Sequence, residues 1–256
     1  MGRAVGLFRR GERRSEETGP YWKQRSWQAS AGFLGLVVVL GGVTALTSGS
    51  DTSGNRVKAS ASNGPLSGTS TKKDGRPAGC RTDDSAGDAI PTSVPKDIGW
   101  HTLGIGRVPV SASAGPTKID GAVWWCFAHT PMGAVLAATD IPTQMSGSQW
   151  RTVTDQQVVA GQERELFVFQ RTTVPDTASS NGATTTSSYA GFQVTSYTSK
   201  AATVRLLIKN DQGYAKTTVY VRWSGGDWKI QPDGSGGLYS QLASEQSAVG
   251  YTLWGA

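Results

Sequence analysis

Histidine and cysteine are scarce in this 256-residue chain, which holds two of each: His101 and His129, Cys80 and Cys126. So few ligands at such spacings form no zinc-type cluster, and no HExxH, GxSxG or SxxK signature occurs. The GIG at Gly104 to Gly106 lacks the third glycine and the following helix of a phosphate loop. Charge is also thin, at 17% of residues. The acids Asp83, Asp84 and Asp88 do not follow EF-hand spacing and read as a solvated loop. Glu163 and Glu165, two residues apart on a helix, point apart rather than forming a paired acid site. These absences remove the usual bases for catalysis, so no enzyme activity, metal or cofactor is expected.

Long apolar runs are equally rare, and the most apolar one organises the chain. Ala29 to Leu46 carries no charge and no proline. As a helix it would extend about 27 Å, close to the ~30 Å hydrocarbon core of a bilayer. Ahead of it stand Arg3, Arg9, Arg10, Arg13, Arg14, Lys23 and Arg25 against only Glu12, Glu16 and Glu17. A basic flank on one side of an apolar run marks the side that stays in the cytoplasm. The expected plan is a basic cytoplasmic tail over 1–28 and a transmembrane helix over 29–48, with everything later outside the cell. Such a tail serves topology, and no direct contact with nucleic acid is expected. The rival is a cleaved signal peptide, with TALTSGS offering small residues for cleavage. On either reading both cysteines leave the cytoplasm. An exported even pair reads as a structural disulfide, Cys80 to Cys126, with two buried free thiols as the other reading.

From 49 to 95 the sequence is rich in Ser, Gly and Thr without apolar period, and reads as a disordered tether. An α+β domain is expected over 96–256. Trp100 to Leu103 and Val108 to Val110 suggest a hairpin. Thr130 before Pro131 is an N-cap followed by proline at the first helical position, predicting a helix over 131–139. Further helices are expected from Trp150 and from Gln162. The period then changes to two through Tyr189 to Tyr197, Ala202 to Lys209, Tyr214 to Trp223 and Trp228 to Ile230, an antiparallel meander. Trp124, Trp125 and His129 are the candidate surface for a ligand or partner, because adjacent tryptophans can stack on a sugar; the other reading is that at least one ring enters a core, the commoner arrangement on a strand.

RWSGGDWKIQP, following helices and a meander, resembles the closing strands of domains similar to nuclear transport factor 2. A single anchor with an external domain of that kind is similar to VirB-type and TcpC-type assembly proteins of type IV secretion and conjugation. YWKQRSWQASAGF, CRTDDS, VPVSASAGPTKIDGAVWWCFAHTPMGAVLAA, WRTVTDQQVVAG and YAGFQV resemble uncharacterised actinobacterial membrane proteins of integrative and conjugative elements. The resemblance implies a nuclear transport factor 2-like domain with helices packed in a curved antiparallel sheet. It also implies a scaffold or assembly component of a cell-envelope transfer system, with other envelope transfer proteins as partners. Ala31 and Gly35, a small-xxx-small pair, point to a homo-oligomer. The alternative is an envelope ligand-binding or hydrolytic domain of the same cone fold, for which Asp140 and Tyr189 stay open as an acid–base pair.

Overall fold

The computed structural model describes residues 64–67, 75–103, 106–174 and 188–255. All of them fall in one compact unit, Leu36–Ala256. The tail over 1–28 and the expected span over 29–48 lie outside the described residues.

Ten strands and three helices follow in order among the described residues. β1 (Ile98–Leu103) and β2 (Gly106–Ser111) form the expected antiparallel hairpin. β3 (Lys118–Asp120) and β4 (Val123–Trp125) form a second, short one. Helices α1 (Pro131–Gln144), α2 (Trp150–Gln157) and α3 (Gln162–Thr172) come next. The meander β5 (Ser188–Thr198), β6 (Ala201–Asn210), β7 (Gly213–Ser224) and β8 (Asp227–Ile230) follows, then β9 (Ala243–Glu245) and β10 (Thr252–Leu253). The main sheet runs β10-β5-β6-β7-β8, and β9 pairs with the other end of β7. Between β8 and β9 the edge of β7 stays paired, through Gln231 N to Tyr220 O and Ser240 N to Thr218 O.

α1 is the axis of the core. The Thr130 hydroxyl accepts from Gly133 N and Pro131 opens the first turn, as the sequence predicted. Every residue of α1 except Thr143 is buried, so the helix carries no solvent face and its apolar moment is small by necessity. It runs beyond the expected end at 139, continuing through Pro142 to Gln144. Val135, Leu136, Ala138 and Ile141 pack with Val204, Leu206, Val219, Val221, Trp228 and Ile230 of the sheet in one cluster. α2 packs against α1, β4 and β8. Its last residue leads into Val158, which bridges in parallel to Ile230. α3 meets the core through Phe167 and Arg171.

The expected fold is corrected here. The described residues are rich in strand, with three separate sheets rather than one curved sheet wrapped around helices. α1 lies along β5 to β8 of the main sheet, α2 reaches that sheet only at β8, and α3 packs on α2. Among the described residues no helix is long and apolar enough to cross a membrane. The physical reason lies in short segments. β3, β4, β9 and β10 are two or three residues long. Runs that short show no period in sequence, yet their backbone groups still require partners and find them in hairpins and sheet edges.

Of the stretch expected as a tether, 49–95, the structure describes residues 64–67 and 75–95. Leu66 is buried in a satellite cluster with Cys80, Val123, Trp125 and Cys126. Its N–H donates to Gln156 Oε1 at 2.9 Å. From Gly75 onward the chain forms a strap across the β7–β8 turn. The packing of Leu66, its hydrogen bond to Gln156 and the Cys80–Cys126 disulfide hold these described residues, and of the three only the disulfide was expected from the sequence.

Candidate functional site

The three residues singled out for ligand stacking do not converge. Trp124 is 8% exposed, its backbone carbonyl accepts from Gln157 Nε2, and its ring meets His101 edge-on at 5.6 Å between ring centres. Trp125, also 8% exposed, packs in the satellite cluster beside the disulfide. Side chains on adjacent strand residues point to opposite faces, which separates the two rings. His129 lies elsewhere, stacked on Trp223 at 3.8 Å with 12° between the planes. Its Nε2 sits 2.5 Å from Ser199 O.

Around His129 the strap is clamped. Arg76, 5% exposed, donates to Phe127 O, Thr82 Oγ1 and Asp84 Oδ2, and its guanidinium lies 5.4 Å from the Trp223 ring centre. Trp223 thus contacts both a histidine and an arginine. Asp84 Oδ1 accepts from His129 N, so this one carboxylate joins strap and helix cap. Cys80 and Cys126 are joined as a disulfide closing a separation of 46 residues. Cys126 adopts φ +70°, a left-handed conformation that a side chain makes unfavourable.

Asp227 fixes that conformation. Fully buried, it accepts from Cys126 N at 2.6 Å, Phe127 N at 3.0 Å and Trp228 N at 3.0 Å. Burial pushes its carboxyl up to about 6, against the three N–H bonds and the Arg76 charge, which favour the anion. The SGGD turn places it there. Gly225 and Gly226 both take positive φ, the geometry of a two-residue hairpin loop, and turn the chain so that Asp227 faces β4.

A second polar group is buried without such support. Asp140, on α1, is 0% exposed and neither carboxyl oxygen has a hydrogen-bond partner. Gln144, one helical turn later on the same face, leaves Nε2 unpartnered at 9% exposure. Between them Thr143 Oγ1 pairs with Tyr189 Oη at 3.0 Å and donates to Thr139 O at 2.8 Å. Burial raises the Asp140 carboxyl well above the usual carboxylate range, and no neighbouring charge offsets it. Tyr189 is raised by burial and by Asp140, and Tyr239 by burial and by Tyr189, which places all three in one electrostatic neighbourhood. Asp140 and Tyr189, left open by the sequence as an acid–base pair, share this neighbourhood across α1 and β5 without a hydrogen bond between them.

Among the described residues no group of three or more His, Cys, Asp or Glu is placed to hold a metal ion. Asp83 and Asp84 instead make turn contacts, with Ser85 and with Thr82 and Arg76. Three residues central to these sites were not read from the sequence. Arg76 sits in a low-complexity stretch. Asp227 looks like an ordinary turn acid. Gln144 falls beyond the expected end of α1, although its spacing of four from Asp140 was visible.

No curated protein and no solved structure matches the chain. A family model described as a domain of unknown function (DUF8175) matches residues 60–253. The match begins ahead of Leu66 and ends within β10, so it takes in the strap, both cysteines and the whole sheet. The chain therefore belongs to the family of this domain of unknown function, DUF8175.

Proposed function

We infer that the chain is a membrane-anchored scaffold or assembly component of a cell-envelope transfer system of the conjugation or type IV secretion kind. It acts by protein–protein contacts, with its folded domain outside the cytoplasm and its N-terminus inside. The observation that carries the extracytoplasmic placement is the pairing of the chain's two cysteines, Cys80 and Cys126, since such bonds persist in oxidising compartments. The apolar run from Ala29 to Leu46 and its basic flank support the anchor and its direction. The motifs shared with uncharacterised actinobacterial proteins of integrative and conjugative elements support the process. A binding role fits the chemistry at His129, whose ring is stacked and whose Nε2 is occupied. Partners are other envelope proteins of the transfer system, and a second copy of the chain is compatible with the same role.

The test is crosslinking and affinity recovery of the full chain from mating cells, with transfer frequency measured in a deletion strain. Recovery of transfer-system envelope proteins and reduced transfer are expected. Recovery of none, with transfer unchanged, overturns the reading.

A further inference from the structure

The strands of the main sheet sort their charges by face. β6 and β7 pair in unbroken register, so Val204, Leu206, Val219 and Val221 turn into the core with α1 and the residues between them turn away. Every cation of these strands is on the side turned away: Arg205 and Lys209 on β6, Lys216 and Arg222 on β7, and Lys229 on β8. The acids of the sheet do not answer them. Asp227 is buried and held by backbone N–H groups, while Glu245 is taken by Lys216 at 3.0 Å and by the Tyr251 hydroxyl. Arg222 and Lys229 stand directly opposite each other, an arrangement that destabilises a sheet and that a bound anion relieves. Arg222 and Lys209 are exposed and, among the described residues, stand in no ion pair.

Planar rings are set among these cations. Tyr220, 43% exposed, lies two residues from Arg222 on β7 and diagonal to Arg205 on β6. Tyr214, half-buried, lies opposite Lys209, about 20 Å from Tyr220 along the strand. An occupant that uses the whole face carries negative charge at several points and flat groups between them. Bilayer headgroups supply the charge without the flat groups, and a duplex keeps the faces of its bases stacked inside. A single strand supplies both, with phosphates for the cations and unstacked bases for the rings. We propose that the outer face of β6, β7 and β8 binds single-stranded nucleic acid, with phosphates on Arg222, Lys229 and Lys209 and a base stacked on Tyr220. This face is separate from the basic N-terminal tail, for which no such contact is expected. That a strand is met outside the cytoplasm rests on the transfer-system role; the binding itself does not.

Fluorescence anisotropy of the full chain with labelled oligothymidylate tests this, beside an abasic strand of equal length. The oligothymidylate is expected to bind more tightly than the abasic strand. Tyr220→Ala should weaken oligothymidylate by about fivefold or more and leave the abasic strand unchanged, and Tyr220→Phe should restore the preference for bases. Arg222→Ala should weaken both strands and reduce the slope of log K against log salt by about 0.7, the value of one phosphate contact. Both positions are exposed, so the variants are expected to fold, and both leave the tail intact, so a loss reports the face. Equal binding of the two strands to the parent overturns the proposal. So does oligothymidylate affinity unchanged in folded Tyr220→Ala and Arg222→Ala. Displacement of the strand by phosphatidylglycerol vesicles but not by unlabelled oligothymidylate assigns the face to a membrane and also overturns it. None of these results alters transfer frequency in the deletion strain, which tests the transfer-system role separately.

Discussion

Asp227 shows how one side chain can carry a local structure that no apolar contact would hold. Its two oxygens take three backbone N–H groups: those of Cys126 and Phe127, on either side of the left-handed Cys126 Cα at the end of β4, and that of its own neighbour Trp228 on β8. Asp227→Asn retains one acceptor oxygen and leaves at least one buried N–H facing a donor. The expected loss is about 1–3 kcal/mol, read by urea unfolding of the oxidised chain at neutral pH. The same residue sets a pH dependence with a definite sign. Its folded value, about 6, lies above the ordinary 3.8, so the folded state holds the proton more tightly. Its contribution is complete below the unfolded value and is lost as pH rises toward about 6. Between pH 4 and 6 the Asp227→Asn variant should therefore lose less stability on raising pH than the parent does. A parent and variant with parallel pH profiles would contradict this assignment.

At the scale of elements, the β7–β8 turn is a cradle as well as a connection. Gly226 has φ +80°, and a Cβ there would come within 2.5 Å of Arg76 Cα, where the strap crosses. Gly225 also has positive φ, but a Cβ on it would meet only the far end of the Lys229 side chain at 3.7 Å. Gly225→Ala should cost about 1 kcal/mol from backbone strain alone. Gly226→Ala should cost more and also loosen the strap, seen as faster amide exchange at residues 75–84. Equal effects at the two glycines would mean that the strap does not rest on the turn. The contrast explains what could be read from sequence. Thr130 and Pro131 announce α1 by cap chemistry, and the alternation through Val204, Leu206 and Ile208 announces β6, because both signals are local. The strap is held by Arg76 reaching Phe127, and Asp140 meets Tyr189 from another element; neither partnership leaves a periodic trace. Trp124 and Trp125 looked like a surface for the same reason: adjacency in sequence says nothing about what covers each ring, and both are covered.

For the described body as a whole, the Cys80–Cys126 disulfide ties the strap to the end of β4, and Asp227 ties that same point to β8. Closing 46 residues removes unfolded-state freedom worth roughly 4 kcal/mol in the chain-entropy account. Replacing both cysteines by serine should lower unfolding free energy by an amount of that order, measured against the oxidised parent; an unchanged midpoint in denaturant would show that the strap is held by Arg76 and Leu66 without the bond. The C-terminal strand β10, paired with β5, is also tied to the segment ahead of β1, since Thr252 Oγ1 donates to Pro91 O. The bond has a further consequence as topology. With β1, β2, β3 and β4 all lying between the two sulfurs in sequence, they belong to a covalent ring. A peptide bond cut anywhere between 81 and 125 opens that ring without releasing a fragment, so such damage stays invisible on a gel until the sample is reduced.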